Sequence, residues 1–182
     1  MEKILIIDFG SQYTQLIARR IREMQVYCEI HPFNNPPALD ESVRGVILSG
    51  SPRSVRDEGA PRFNLDAIKG KLPLLGVCYG AQYLAHFFGG KVEASPSREY
   101  GRARMQVVKG DDALMQGLSR ESQVWMSHGD TITTIDKDSG ESVERRLWKG
   151  FSNTATYDKM MDLLCKKNPA WEKCRGGIEA FI

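Results

Sequence analysis

Residues 3–8 read Lys-Ile-Leu-Ile-Ile-Asp, an apolar run of the kind found in a central parallel strand buried on both faces. Phe9-Gly10-Ser11 then makes a turn. Residues 13–24 carry Leu16, Ile17, Ile21 and Met24 with arginines between them, the spacing of an amphipathic helix. A second strand is expected at 27–30, before a loop rich in Pro and Asn from Pro32 to Pro37. A third strand, 45–48, ends at Ser49-Gly50-Ser51-Pro52, and a weaker helix at 64–68 precedes a fourth strand at 73–77. This alternation predicts a three-layer, doubly wound α/β fold around a mostly parallel sheet with right-handed crossovers. Ligands in such sheets sit beyond the carboxyl ends of the strands, which points to the loops at 9–12, 49–54 and 78–82.

A helix at 81–88 stops at Gly89-Gly90, and strand-like segments follow at 91–94, 105–108, 124–126 and 131–135. The pattern changes near Asp136. Residues 137–182 mix charges of both signs, contain no β-branched run and offer one helix, 158–167. The chain therefore divides into an organised part, 1–135, and a divergent tail, 136–182.

Composition adds constraints rather than direction. Across 182 residues, 41% hydrophobic and 26% charged residues describe an ordinary globular protein. A net charge of +2 gives no broad attraction to nucleic acid or membrane. No stretch approaches a membrane span, and Met1-Glu2-Lys3 runs straight into the first strand, so no leader is expected. Cysteines at 28, 78, 165 and 174 follow neither a disulfide framework nor a zinc spacing, which favours a reducing cytoplasm.

The chemistry concentrates at Gly76-Val77-Cys78-Tyr79-Gly80, where a buried strand hands over to a helix. This is the nucleophile elbow with cysteine in place of serine. The turn forces the nucleophile into a strained backbone region, and its neighbours must be glycine to avoid collision. It also sets Cys78 at a helix N-terminus, which favours a thiolate. The N–H of Tyr79 is placed as half of an oxyanion hole. An elbow alone does not separate an amidase from an esterase-like hydrolase.

Four segments narrow the choice: Asp8-Phe9-Gly10-Ser11-Gln12-Tyr13, Leu48-Ser49-Gly50-Ser51-Pro52, Gly76-Val77-Cys78-Tyr79-Gly80-Ala81-Gln82 and Trp125-Met126-Ser127-His128-Gly129-Asp130. In this order they resemble class I glutamine amidotransferases over residues 1–135. With Arg98-Glu99-Tyr100-Gly101, the first and last resemble the amidotransferase domain of the GMP synthetase family. The resemblance implies that Cys78 attacks the side-chain amide of L-glutamine, forms a γ-glutamyl thioester and releases ammonia. It implies that the N–H groups of Tyr79 and Ser51 hold the oxyanion, with Ser51 standing where glycine is frequent. It also implies that Gln82 and a turn of Ser127, His128, Gly129 and Asp130 grip the substrate. No cofactor or metal is implied for this domain. The implied partner is an ATP-pyrophosphatase synthetase domain, which uses ATP, Mg and XMP. No Ser-Gly-Gly-Val-Asp-Ser-type phosphate loop for it occurs in this sequence.

Other motif residues read more plainly as structure. Asp8 suits a turn or helix cap, Gln12 and Tyr13 open the first helix, and Arg19, Arg20 and Arg22 form a solvated helix face. His31 reads as a loop residue and His86 as a packing residue.

One part of the expected machinery is missing. A cysteine nucleophile needs a histidine in reach and a group to orient it, and the family carries these in a later Phe-His-Pro-Glu segment. Here no histidine follows position 128, and Glu141, Glu144, Glu172 and Glu179 read as solvated. Either a shifted reading frame or a fusion replaces the family sequence after about residue 136, or the chain is a catalytically dead docking or regulatory module. Translating the other two frames of the coding DNA separates the two.

Overall fold

The computed structural model describes residues 1–68, 71–107 and 118–134. The predicted helix at 158–167 and the four tail glutamates lie outside the described residues. A parallel sheet is built from β1 (Lys3–Asp8), β2 (Cys28–Pro32), β3 (Val43–Leu48) and β4 (Leu74–Gly76), in the order β2-β1-β3-β4. α1 (Thr14–Glu23) links β1 to β2, and α2 (Tyr79–Phe87) follows β4. The chain leaves β1 toward one edge for β2 and returns to its other side for β3, so the strand order reverses between β1 and β3. A crevice opens at such a reversal.

Alternation along β1 explains the layers. Ile4 and Ile6 pack with Ile17, Ala18 and Ile21 of α1 and with Ile47, whereas Leu5 and Ile7 pack with Leu48 and with Tyr79, Tyr83 and Leu84 of α2. Side chains on a strand alternate between faces, so a run of four apolar residues serves both. The result is the expected three-layer α/β arrangement. α1 buries Thr14, Ile17, Ala18 and Ile21. Leu16, predicted on the inner stripe, is instead 53% exposed, because it falls on the helix face nearly opposite the 14, 17, 18, 21 line.

Two predicted elements differ. Residues 64–68 form turns rather than a helix: Asn64 Oδ1 accepts the Asp66 N–H at 3.0 Å, and Ile68 N bonds Leu65 O at 3.1 Å. An Asn side chain that satisfies the backbone locally competes with helix. The predicted segments 91–94 and 105–108, the latter as far as 106, fall in one long strand, β5 (Lys91–Gln106), and 124–126 and 131–135, as far as 134, fall in another, β6 (Glu121–Thr134); positions 108 and 135 lie outside the described residues. The two are antiparallel, with a register break between Ala94 and Glu99. Pro96 lies inside that break and has no N–H for the ladder. Val92 and Ile132 of this ribbon join α2 in the core, so α2 is enclosed between the sheet and the ribbon.

Ile6→Ala is expected to lower stability by about 2–5 kcal/mol, and Leu16→Ser to stay within about 0.5 kcal/mol of the parent. Urea denaturation of both variants checks this, and equal losses would contradict the assigned faces.

Candidate active site

The strand-to-helix turn at the end of β4 places Cys78 as the N-cap of α2, with φ 49° and ψ −110°. A non-glycine residue there carries a cost of roughly 1–3 kcal/mol and persists only where its surroundings hold it. They do so from both sides. The N–H of Val77 reaches Leu48 O at 2.9 Å, that of Gly80 reaches Ser49 O at 3.0 Å, and Cys78 O accepts from Ala81 and Gln82 at 3.0 and 3.1 Å. The glycines are needed for close approach. A methyl on Gly76 would lie 2.5 Å from Ala81 N, and one on Gly80 would lie 2.7 Å from Leu48 Cβ.

The first N–H groups of a helix have no partner within it. In α2, those of Gly80, Ala81 and Gln82 are taken by Ser49, Val77 and Cys78 carbonyls. The N–H of Tyr79 meets no acceptor among the described residues, which leaves it available as an oxyanion donor. The Tyr79 side chain anchors that N–H. Its hydroxyl donates to Pro61 O at 2.5 Å, and its ring lies 5.2 Å from Phe9 and 6.2 Å from Tyr83. Burial pushes the phenol up to about 12, so it stays a neutral donor.

All three predicted loops meet here. Asp8 Oδ1 accepts from Gly10 N at 2.9 Å, Ser11 N at 3.2 Å and Thr14 Oγ1 at 2.7 Å, which makes Asp8 the turn residue expected. Ser49 Oγ accepts the Phe9 N–H at 2.9 Å and joins the first loop to the second. A methyl on Gly50 would sit 3.2 Å from Ser11 Oγ and 3.7 Å from Cys78 Cβ. Ser51 follows directly, its Oγ accepting from Arg53 N at 3.2 Å.

The predicted substrate-gripping residues are placed differently from expectation. Residues Ser127 to Asp130 lie within β6 rather than in a turn. His128 pairs with Glu99 and Asp130 with Ala94, and Gly129 stands opposite the register break. Four residues of β5 oppose this one glycine, so the strand bulges where a turn was predicted. Gln82 is buried, and its Nε2 donates to Asp130 O at 3.0 Å. The Asp130 carboxylate is engaged by Ser54 Oγ and by Arg56 Nη2, the latter at 2.8 Å. Neither Ser54 nor Arg56 stood out in the sequence.

Of the histidines, His31 Nε2 lies 3.1 Å from Glu29 Oε2 on the edge strand β2. His86, predicted to pack, is exposed and lines a shallow cleft with Arg62, Asn64 and Phe87. Neither His31 nor His86 hydrogen-bonds Cys78 Sγ. Burial pushes the Cys78 thiol up from its ordinary pKa, and among the described residues no charged group offsets it. That opposes the thiolate-favouring effect expected from the helix terminus.

Two outcomes follow. Alkylation of Cys78 by iodoacetamide, followed by peptide mass spectrometry against pH, should be slower at pH 7.5 than for a free thiol. It should rise with a midpoint above the free thiol's, and a midpoint below it would contradict the enclosed sulfur. Gly80→Ala should destabilise by about 3 kcal/mol, because backbone rather than a flexible side chain must move. A urea midpoint equal to the parent's would contradict the close approach.

Comparison with known proteins agrees with this geometry. Residues 5–172 match the family Glutamine amidotransferase class-I. A GMP synthase [glutamine-hydrolyzing] from Cytophaga hutchinsonii is 64% identical over 134 residues, covering 74% of this chain and 26% of that protein. One from Porphyromonas gingivalis is 59% identical over 135 residues, covering 74% and 27%. The chain thus spans about a quarter of the length of the curated relatives it matches. Among solved structures, a putative GMP synthase subunit from Thermoplasma acidophilum superposes with TM-score 0.63 at 29% identity, covering 76% of this chain and 70% of that one. A glutamine amidotransferase from Thermotoga maritima shares the fold at TM-score 0.59 and 18% identity, over 94% and 85% of the two chains. With the strained Cys78 elbow and the three converging loops, these matches show that the chain belongs to the class-I glutamine amidotransferase family.

Proposed function

We propose that this chain is the glutaminase part of a GMP synthase, hydrolysing L-glutamine at Cys78 and supplying ammonia for the amination of XMP to GMP. The observation that carries the reading is the Cys78 elbow, held at φ 49° beside the N–H of Tyr79. The 64% identity to the Cytophaga hutchinsonii GMP synthase supports the choice of product.

In the proposed reaction, Cys78 Sγ attacks the carboxamide carbon of glutamine, and the carbonyl electrons move onto oxygen. The N–H groups of Tyr79 and Ser51 stabilise that oxyanion. Collapse breaks the C–N bond: the departing amide nitrogen takes the proton given up by the Cys78 thiol and leaves as ammonia, with the γ-glutamyl thioester behind. Water then cleaves the thioester to glutamate and frees the thiol. The amidotransferase step itself uses no cofactor. ATP and Mg belong to a separate synthetase domain or chain, which is the partner proposed to receive the ammonia. Gln82 and residues Ser127, His128 and Gly129 are proposed to orient the substrate. Asp130 is proposed to act there by holding Gln82 through its backbone oxygen, because its carboxylate is already engaged.

A second reading, a docking or regulatory module that binds glutamine or the synthetase partner without turnover, rests on the Cys78 thiol. Burial raises its pKa, and His31 is engaged by Glu29 instead.

Ammonia release from glutamine decides between the two. Glutaminase activity should be present, several orders of magnitude below that of an intact amidotransferase, and should vanish in Cys78→Ala. Activity that survives Cys78→Ala overturns the nucleophile assignment. Complete absence of turnover with retained glutamine binding favours the second reading.

A further inference from the structure

The segment after β3 carries Ser51 and is wound on itself. Ser51 Oγ accepts from Arg53 N at 3.2 Å, Ser54 Oγ from Arg56 N at 3.1 Å, and Asp57 Oδ2 from Ser54 N at 2.9 Å. Ala60 N closes the coil on Asp57 O at 3.1 Å. These bonds make the segment stiff but do not set its distance from Cys78. That distance depends on what the coil is fastened to.

Asp130 is the fastening. Its carboxylate accepts from Ser54 Oγ and, at 2.8 Å, from Arg56 Nη2, while its backbone oxygen accepts from Gln82 Nε2 at 3.0 Å. Ser54 and Arg56 belong to the coil with Ser51, and Gln82 lies one helical turn beyond Cys78. One residue of β6 thus grips both the coil and the helix that presents the nucleophile. The Asp130 side chain is 8% exposed and that of Arg56 45% exposed. Loss of Arg56 would leave a nearly buried carboxylate short of its cationic partner, whereas the arginine itself has room to be replaced.

We propose that Arg56 is a positioning residue: by holding Asp130 together with Ser54, it sets the Ser51 N–H against Cys78 for oxyanion stabilisation. This rests on the glutaminase reading above. Oxyanion donors act over a few tenths of an ångström, so a slackened coil loses transition-state stabilisation without losing the site.

The test labels Cys78 in the full chain with a diazoketone analogue of glutamine and, separately, with iodoacetamide, which needs no oxyanion donor. Arg56→Ala should lower the maximal inactivation rate by the diazoketone by about 10- to 100-fold. The half-saturating concentration and the iodoacetamide rate should change little. Arg56→Lys should recover most of the loss, and Arg56→Ala/Asp130→Asn should lose no more than the larger single loss, since both act on one contact. Ser54→Ala serves as a milder second variant and should slow the diazoketone selectively. If Arg56→Ala leaves the diazoketone rate intact, or slows both reagents alike, the positioning role is overturned while the glutaminase reading stands. If the parent chain itself shows no preference for the glutamine analogue, the glutaminase reading fails and takes the positioning role with it.

Discussion

The carbonyl groups of Leu48 and Ser49, at the end of β3, accept N–H groups from Val77 and Gly80 at either side of Cys78. Those two bonds draw the start of α2 so close to β3 that position 80 has no room for a side chain. From this contact follow the strained backbone of Cys78, the direction in which α2 leaves the sheet, and the position of the unshared Tyr79 N–H. Leu48 is fully buried and also forms part of the core beneath α2. The reacting groups are therefore referenced to the packed core of the fold, as a site requiring small tolerances should be.

Burial around the elbow has opposed effects. It fixes Tyr79 through its phenol and its aromatic neighbours Phe9 and Tyr83, and low polarity strengthens any oxyanion bond made there. The same enclosure raises the pKa of Cys78, so the sulfur is well placed yet poorly ionised. A neighbouring base ordinarily resolves that conflict. Neither His31 nor His86 supplies that base, which keeps the glutaminase and docking readings close in chemistry although distant in turnover.

Features that depend on local pattern were legible in the residues. The run at 3–8, the stripe of α1 apart from Leu16, and the glycines around Cys78 each have a short-range physical cause and lie where expected. Features set by a distant partner were not. The long β5–β6 ribbon looked like four short strands, because charged and proline positions interrupt a ladder that only the facing strand keeps together. Residues 64–68 carried helix-like spacing, but the Asn64 side chain satisfied the backbone first. Arg56 and Ser54 could not be singled out, since their partner lies more than 70 residues away and arginine and serine are common on any loop.

Strain at position 78 also bears on how this chain changes under mutation. Glycine would adopt the backbone of Cys78 without the steric cost, and a single-base change converts a cysteine codon to a glycine codon. A lineage using the elbow only as scaffold would therefore gain stability by leaving cysteine behind. Cysteine at 78 sits uphill of that route. Its persistence would record selection on sulfur, whereas glycine among close descendants would date the release of that selection.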